Sequence, residues 1–193
     1  SFYPSKNLGA YGDGRAIFTN DDKLAEVIRM IANHGQSRRY YHDVVGCNSR
    51  LDTIQAAVLD IKLKHLDAYN EARRKVADYY DRAFAGHEKI TTPYRAPYSR
   101  HVFHQYTLLI EGGEESASQR NALQAHLAAQ QIPSMIYYPV PGHRQQMFVP
   151  FAGNIPSMPV TDWLTDRVIS LPVHTEMDDE QLQYITTAVK SYF

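Results

Sequence analysis

Lys6 is the first residue whose type and neighbours suggest chemistry. It stands in the loop-like stretch SFYPSKNLGAYGDGR at positions 1–15, among Ser1, Ser5, Gly9, Gly12 and Gly14. A lysine in this setting can cradle phosphate, attack a carbonyl as an unprotonated amine, or carry plain surface charge. Two phosphate-loop patterns are excluded. GxxxxGK(S/T) fails because Asn7 follows Lys6 and no glycine precedes it. GxGxxG fails because Ile17 takes the third glycine's place after Gly12 and Gly14.

The other polar candidates are scattered. Asn48 reads on its own as a turn residue. Arg50 can meet a substrate phosphate or bridge to Asp52. Tyr138 and His143 belong to YPVPGH, where an imidazole can both donate and accept hydrogen bonds. His101 and His104 lie three apart on one expected strand and so point to opposite faces, which argues against a shared metal. No metal site is expected. His174, after Pro172, reads as a structural residue capping a strand-to-helix turn. Arg38-Arg39-Tyr40-Tyr41-His42 has the basic and aromatic texture of nucleic-acid grooves. Against that, the chain carries 20 Lys+Arg and 21 Asp+Glu, a net charge of −1, and no second basic patch. No nucleic-acid partner is expected.

The elements that must position these residues follow from pattern. Hydrophobic residues make up 44% of the 193, which excludes a disordered chain. No apolar run approaches the ~18 residues of a membrane span. The lone Cys47 excludes an internal disulfide and favours a reducing compartment, so a soluble, cytoplasmic protein is expected. Residues 16–19 read as a strand. Asn20-Asp21-Asp22 opens a helix to about His34, with Leu24, Val27, Ile28 and Ile31 on one face and Gly35 as its stop. Residues 36–50 lack a period and read as a loop. From Asp52 to about Phe84 a helical stripe runs without Gly or Pro, read as one long helix connecting two subdomains, with a bend as the alternative. Residues 102–110 have strand character, and Ser118 is placed to cap the helix through Leu123 and Leu127. Six of the ten prolines fall in 133–159, an irregular segment of the kind that is usually functional. A strand at 168–171 and a helix opened by Asp178 and Asp179 complete a small α/β or α+β unit.

SFYPSKNLGAYGDGRAIFTND resembles the internal-lysine segment of the DegT/DnrJ/StrS sugar aminotransferases, pyridoxal-phosphate enzymes of fold type I. Their pattern runs S-F-x-x-x-K, then N-L-x-x-x-G-D-G-G-A; Arg15 stands here where a second glycine is common. His34-Gly35, then Val45-Gly46-Cys47-Asn48-Ser49-Arg50-Leu51-Asp52 with Gln55-Ala56-Ala57, resembles the family's H-G … G-x-N-x-R-x-D-x-x-Q-A-A block. Tyr138 to His143 resembles its Y-P-x-P-x-H segment, and Ile169 to His174 with Glu180-Gln181 its closing L-S-L-P-x-H … E-Q signature. These blocks cover nearly the whole chain in the family's order.

The resemblance implies that Lys6 is the lysine that bonds pyridoxal 5'-phosphate and that Ser1 bonds its phosphate. Asn48, 42 positions after Lys6 as in the family, would reach the neighbouring subunit's cofactor phosphate across a homodimer. Arg50, Tyr138 and His143 would approach the substrate, and the 38–42 segment would face the sugar-nucleotide pocket or the dimer interface. The implied reaction moves an amino group from a donor such as glutamate to a keto group on a nucleotide-linked sugar. The branch most resembled acts on a UDP-linked 3-keto-hexuronate, in surface polysaccharide, lipopolysaccharide or antibiotic-sugar synthesis. Two alternatives stand beside it. A dehydratase of the same family would carry histidine at the lysine position. A non-catalytic binding or regulatory module would have no need of Lys6. In this frame residues 1–60 would be the end of the large cofactor-binding domain, 61–88 a connecting helix and 89–193 the small C-terminal α/β domain. The chain would then be a C-terminal portion, inactive alone, lacking the residues that bind the pyridine nitrogen and the ring face.

Overall fold

Asp21 ends the N-terminal loop by accepting the Leu24 N–H at 3.0 Å, which satisfies one orphan donor and starts helix α1, Asp22–Ala32. The computed structural model describes residues 1–193, apart from the side chains of Ala152 and Asn154. The chain falls into two compact units, Ser1–Asp67 and Ala68–Phe193.

In the first unit α1 stops at Asn33, and Gly35 turns the chain with φ +75. A Cβ there would overlap the Val44 carbonyl oxygen, so only glycine lets 35 and 44 approach this closely. The residues after it form a small antiparallel hairpin, β1 Gln36–Arg38 with β2 Tyr41–His42, where the sequence reads as loop. Conversely, residues 16–19 form no strand. Ile17 and Phe18 are exposed, and no described segment pairs with them; apolar character makes a strand only where a ladder partner exists. Helix α2, Thr53–Leu63, begins on Asp52, whose carboxylate accepts the Ile54 N–H at 3.0 Å.

The expected long helix is two helices. The turn at Lys64-His65 tightens, with His65 N–H donating to Lys62 O at 3.0 Å, and α3 runs Leu66–Phe84. No glycine or proline marks the break. Leu59 of α2 is buried in the first unit, whereas Val76, Ala77, Tyr80 and Phe84 of α3 belong to the core of the second.

That core is built on a three-stranded antiparallel sheet, β3 Ile90–Thr91, β4 Tyr106–Ile110 and β5 Val168–Leu171, with β4 in the middle. Tyr106, Leu108 and Ile110 alternate inward with period two and meet Leu123 and Leu127 of α4, Ser116–Ala129, and Leu182, Ile185 and Val189 of α6, Asp179–Tyr192. The strand thus starts at Tyr106, leaving His101 and His104 ahead of it. Helix α4 begins two residues before Ser118, whose hydroxyl donates to Glu115 O instead of capping the helix. Asp178 and Gln181 form a reciprocal capping box on α6. The proline-rich stretch contains 3-10 turns at Gly142–Arg144 and Gln146–Asn154, then a short helix, α5 Pro159–Thr165, unforeseen in the sequence.

Candidate active site

Lys6 is half-buried in a turn whose backbone is fastened on three sides. Its N–H donates to Tyr3 O at 2.9 Å, Phe2 N–H to Gly14 O at 2.7 Å, and Ala10 N–H to Phe2 O at 2.7 Å. The two ends of the loop are therefore zipped through Phe2. Gly9 packs directly on the turn, since a Cβ there would stand 2.8 Å from the Pro4 carbonyl carbon and overlap its oxygen. Two side chains of α2 hold the far side. Gln55 Oε1 accepts the Tyr11 N–H at 2.8 Å, and the Lys62 ammonium donates to Gly9 O. Sequence reasoning named Gln55 only as part of a motif and missed Lys62. Their spacing of seven, two helical turns on one face, was the available signal.

Ser1 is exposed; its Oγ accepts the Tyr3 N–H at 3.3 Å and keeps its own proton to donate. Asn48 lies on a segment laddered to the end of α1, with Cys47 N–H on Ile31 O, Ser49 N–H on Ala32 O, and a bridge to Asn33. Its Oδ1 accepts from Arg50 Nε at 3.1 Å, and its amide N–H groups remain as donors. Arg50 does not bridge to Asp52, because that carboxylate is the cap of α2. The Lys6 loop and the Asn48 segment meet at Leu51, whose Cδ1 lies 3.0 Å from the place of a Cβ on Gly14. In the hairpin, the Arg38 guanidinium lies 3.6 Å from the Tyr41 ring centroid.

Tyr138 and His143 belong to the second unit. Tyr138 is exposed, edge-on to Tyr137 at 5.6 Å. The His143 side chain is only 11% exposed, and its Nε2 stands 3.1 Å from Asp162 Oδ1 without hydrogen-bond alignment. Arg144 donates to the other oxygen of the same carboxylate at 2.6 Å. His174 Nδ1 accepts the Glu176 N–H at 3.2 Å, the structural turn role expected of it. Within the second unit, half-buried Arg73 of α3 gives one nitrogen, Nη1, to the carbonyls of Phe103, His104 and Val173. Burial lowers its tendency to hold a proton and raises the pKa of the Tyr80 and Tyr106 hydroxyls, the latter also through its hydrogen bond to Asp81. Among the described residues no group of three or more His, Cys, Asp or Glu could hold a metal, and no helix is long and apolar enough to cross a membrane.

The residues suit an anionic cofactor: a hydroxyl and an amide with donors to spare, and a primary amine on a fixed turn. Comparison with known proteins agrees. A chain from Geobacillus stearothermophilus called a pleiotropic regulatory protein is 43% identical over 195 residues, covering 100% of this chain and 50% of its own length. The UDP-2-acetamido-2-deoxy-3-oxo-D-glucuronate aminotransferase of Pseudomonas aeruginosa is 42% identical over 98% of this chain and 50% of its own length. Among solved structures, S. venezuelae DesV superposes with a TM-score of 0.88 at 39% identity, over 99% of this chain and 50% of DesV. The chain thus spans about half the length of the relatives it matches, and has the fold of the matched half of DesV. A sequence model of the DegT/DnrJ/EryC1/StrS aminotransferase family matches residues 1–190, almost end to end, and it is to this family that the chain belongs.

Proposed function

We propose that the full-length protein is a pyridoxal-phosphate-dependent aminotransferase that moves an amino group from an amino acid such as glutamate to a keto group on a nucleotide-linked sugar. The observation that carries this reading is the fastened turn that presents the Lys6 amine. A lysine that served only as surface charge would need no such support. The cofactor, when bound, supplies a carbonyl for the amino group and a ring that takes up the electron pair of the substrate carbon. Lys6 is the attachment point, and its Nζ is the base and acid that moves the proton at the substrate carbon once the donor has displaced it. Ser1 Oγ and the Asn48 amide donate hydrogen bonds to the phosphate, strengthened by its charge. Asn48 does so for the partner subunit in a homodimer with shared sites. Arg50 of the first unit and Tyr138 and His143 of the second are the residues assigned to the sugar nucleotide.

Within this class the substrate is a UDP-linked 3-keto-hexuronate, a reading supported by the activity in the name of the P. aeruginosa relative. The product would serve surface polysaccharide or amino-sugar synthesis in the cytoplasm. A second reading comes from the name of the G. stearothermophilus relative, a regulatory protein. A regulator that kept only the scaffold has no use for an amine at position 6, and a dehydratase of this family would carry histidine there. Borohydride reduction of full-length protein loaded with pyridoxal phosphate, followed by peptide mass mapping, should place the pyridoxyl group on Lys6. An adduct on Lys23 or another lysine, or none, refutes the proposal.

A further inference from the structure

The carboxylate that meets His143, the last residue of YPVPGH, and Arg144 just after it comes from α5, a helix with no sequence signal. Asp162 Oδ2 accepts from Arg144 Nη2 at 2.6 Å, and its Oδ1 lies 3.1 Å from His143 Nε2. His143 Nδ1 is buried without a hydrogen-bond partner, and the ion-pair contact recorded for the ring is the one of its Nε2 with Asp162. We propose that Asp162 is a positioning residue for sugar-nucleotide binding, holding the segment 138–144 in place through His143 and Arg144. This rests on the function proposed above.

The segment has little else to hold it. Its first anchor is the two-way ladder of Met135 with Ser170, 3.1 and 2.7 Å. Beyond that, Tyr137, Tyr138, Val140, Met147, Phe148 and Val149 are exposed, and the backbone bonds of the Gly142–Arg144 turn are, among the described residues, short-range ones. Between the segment and α5 lies a cavity of about 320 Å3 lined by Pro139, Val140, Pro141, Arg144, Asp162 and Thr165. Packing at the nearly buried His143 ring is thus interrupted by a hollow, and the charged contact of Arg144 with Asp162 lies at its edge. The helix itself is well anchored. Buried Arg120 of α4 donates to Thr165 O at 2.8 Å and Val168 O at 3.3 Å, and Arg167 joins Trp163 O to Gly113 O, both at 2.9 Å. A fixed brace on one side and a mostly exposed segment on the other make the carboxylate the link that sets where Tyr138 stands. The prolines limit how the segment bends, but not where it sits.

The test uses the full-length holoenzyme carrying Asp162→Asn, which keeps the shape and removes the charge, and Asp162→Glu, which restores it. Asp162→Asn should raise the KM for the keto-sugar nucleotide about tenfold, the effect of losing about 1.4 kcal/mol. The half-reaction with the amino donor should not change, and Asp162→Glu should recover part of the loss. Hydrogen exchange of the backbone amides of 142–149 should quicken in Asp162→Asn. Arg144→Met, at a side chain 62% exposed and so harmless to folding, should raise the same KM about threefold. An unchanged KM in both variants, unchanged exchange, or equal damage to both half-reactions overturns the proposal. Wild-type protein that transaminates no keto-sugar nucleotide refutes the proposed function itself, a failure separate from a variant that matches an active wild type.

Discussion

Replacing Gly9 with alanine tests whether the Lys6 turn is as tightly determined as its geometry indicates. The added Cβ would lie 2.8 Å from the Pro4 carbonyl carbon and 3.0 Å from Tyr3 O, overlapping Pro4 O as well. Carbon atoms rest about 3.5–4.0 Å apart, so the backbone must separate by about 0.7–1.2 Å. Every neighbour is backbone, and no side-chain swing relieves the clash. The displaced strand of chain is the one that carries Lys6 two residues on, whose N–H is bonded to Tyr3 O. Overpacking of this kind costs about 1–3 kcal/mol of stability, more than the ~0.4–1 kcal/mol gained from a less flexible unfolded chain. A misplacement near 1 Å at a reacting group costs up to about 100-fold in rate. Stopped-flow absorbance of the donor half-reaction in full-length Gly9→Ala should therefore show a fall of about 10- to 100-fold while the protein stays folded. Gly142→Ala, where a Cβ meets nothing within 4 Å, is the steric control and should leave that half-reaction alone. A Gly9→Ala enzyme with wild-type half-reaction rate and melting temperature would refute the reasoning, because the turn would then tolerate a shift that the geometry forbids.

Two further expectations follow from other parts of the chain. Arg73→Met should destabilise the protein by about 2–4 kcal/mol in urea unfolding, since three carbonyls lose a charged donor; a loss under about 0.5 kcal/mol would show that those carbonyls are satisfied otherwise. Mixing inactive Lys6→Ala with inactive Asn48→Ala protein should restore partial activity, because in a mixed dimer with shared sites both lesions fall in one site; no recovery after proven subunit exchange refutes sharing across the two-fold.

What the sequence made legible is what is encoded within a few residues. Asp21 and Asp178 announce helices because a cap needs only the next three residues, and both make the expected bonds. The α3 stripe is readable for the same reason, since period and burial agree along one element. The errors share a cause. Residues 16–19 have strand composition but no partner to ladder with, while 36–42 look like loop and form a hairpin because Gly35 and Gly46 bring the chain ends together. Helix α5, seven residues among prolines, is too short to show a period. The same division separates the candidate site residues from what supports them. Lys6, Ser1 and Asn48 were found in contiguous strings, but the groups that fix the surrounding loops act over 44 positions for Gln55 on Tyr11, 53 for Lys62 on Gly9, 18 for Asp162 on Arg144 and 100 for Arg73 on Val173. In three of these four the partner is a backbone group, which every residue possesses alike, so the amino-acid type at the receiving end carries no trace of the contact. Only the fold selects which carbonyl or N–H is reached. A reading of contiguous residues can thus name the groups that would meet cofactor and substrate, while the groups that hold them in place emerge only once the chain is folded.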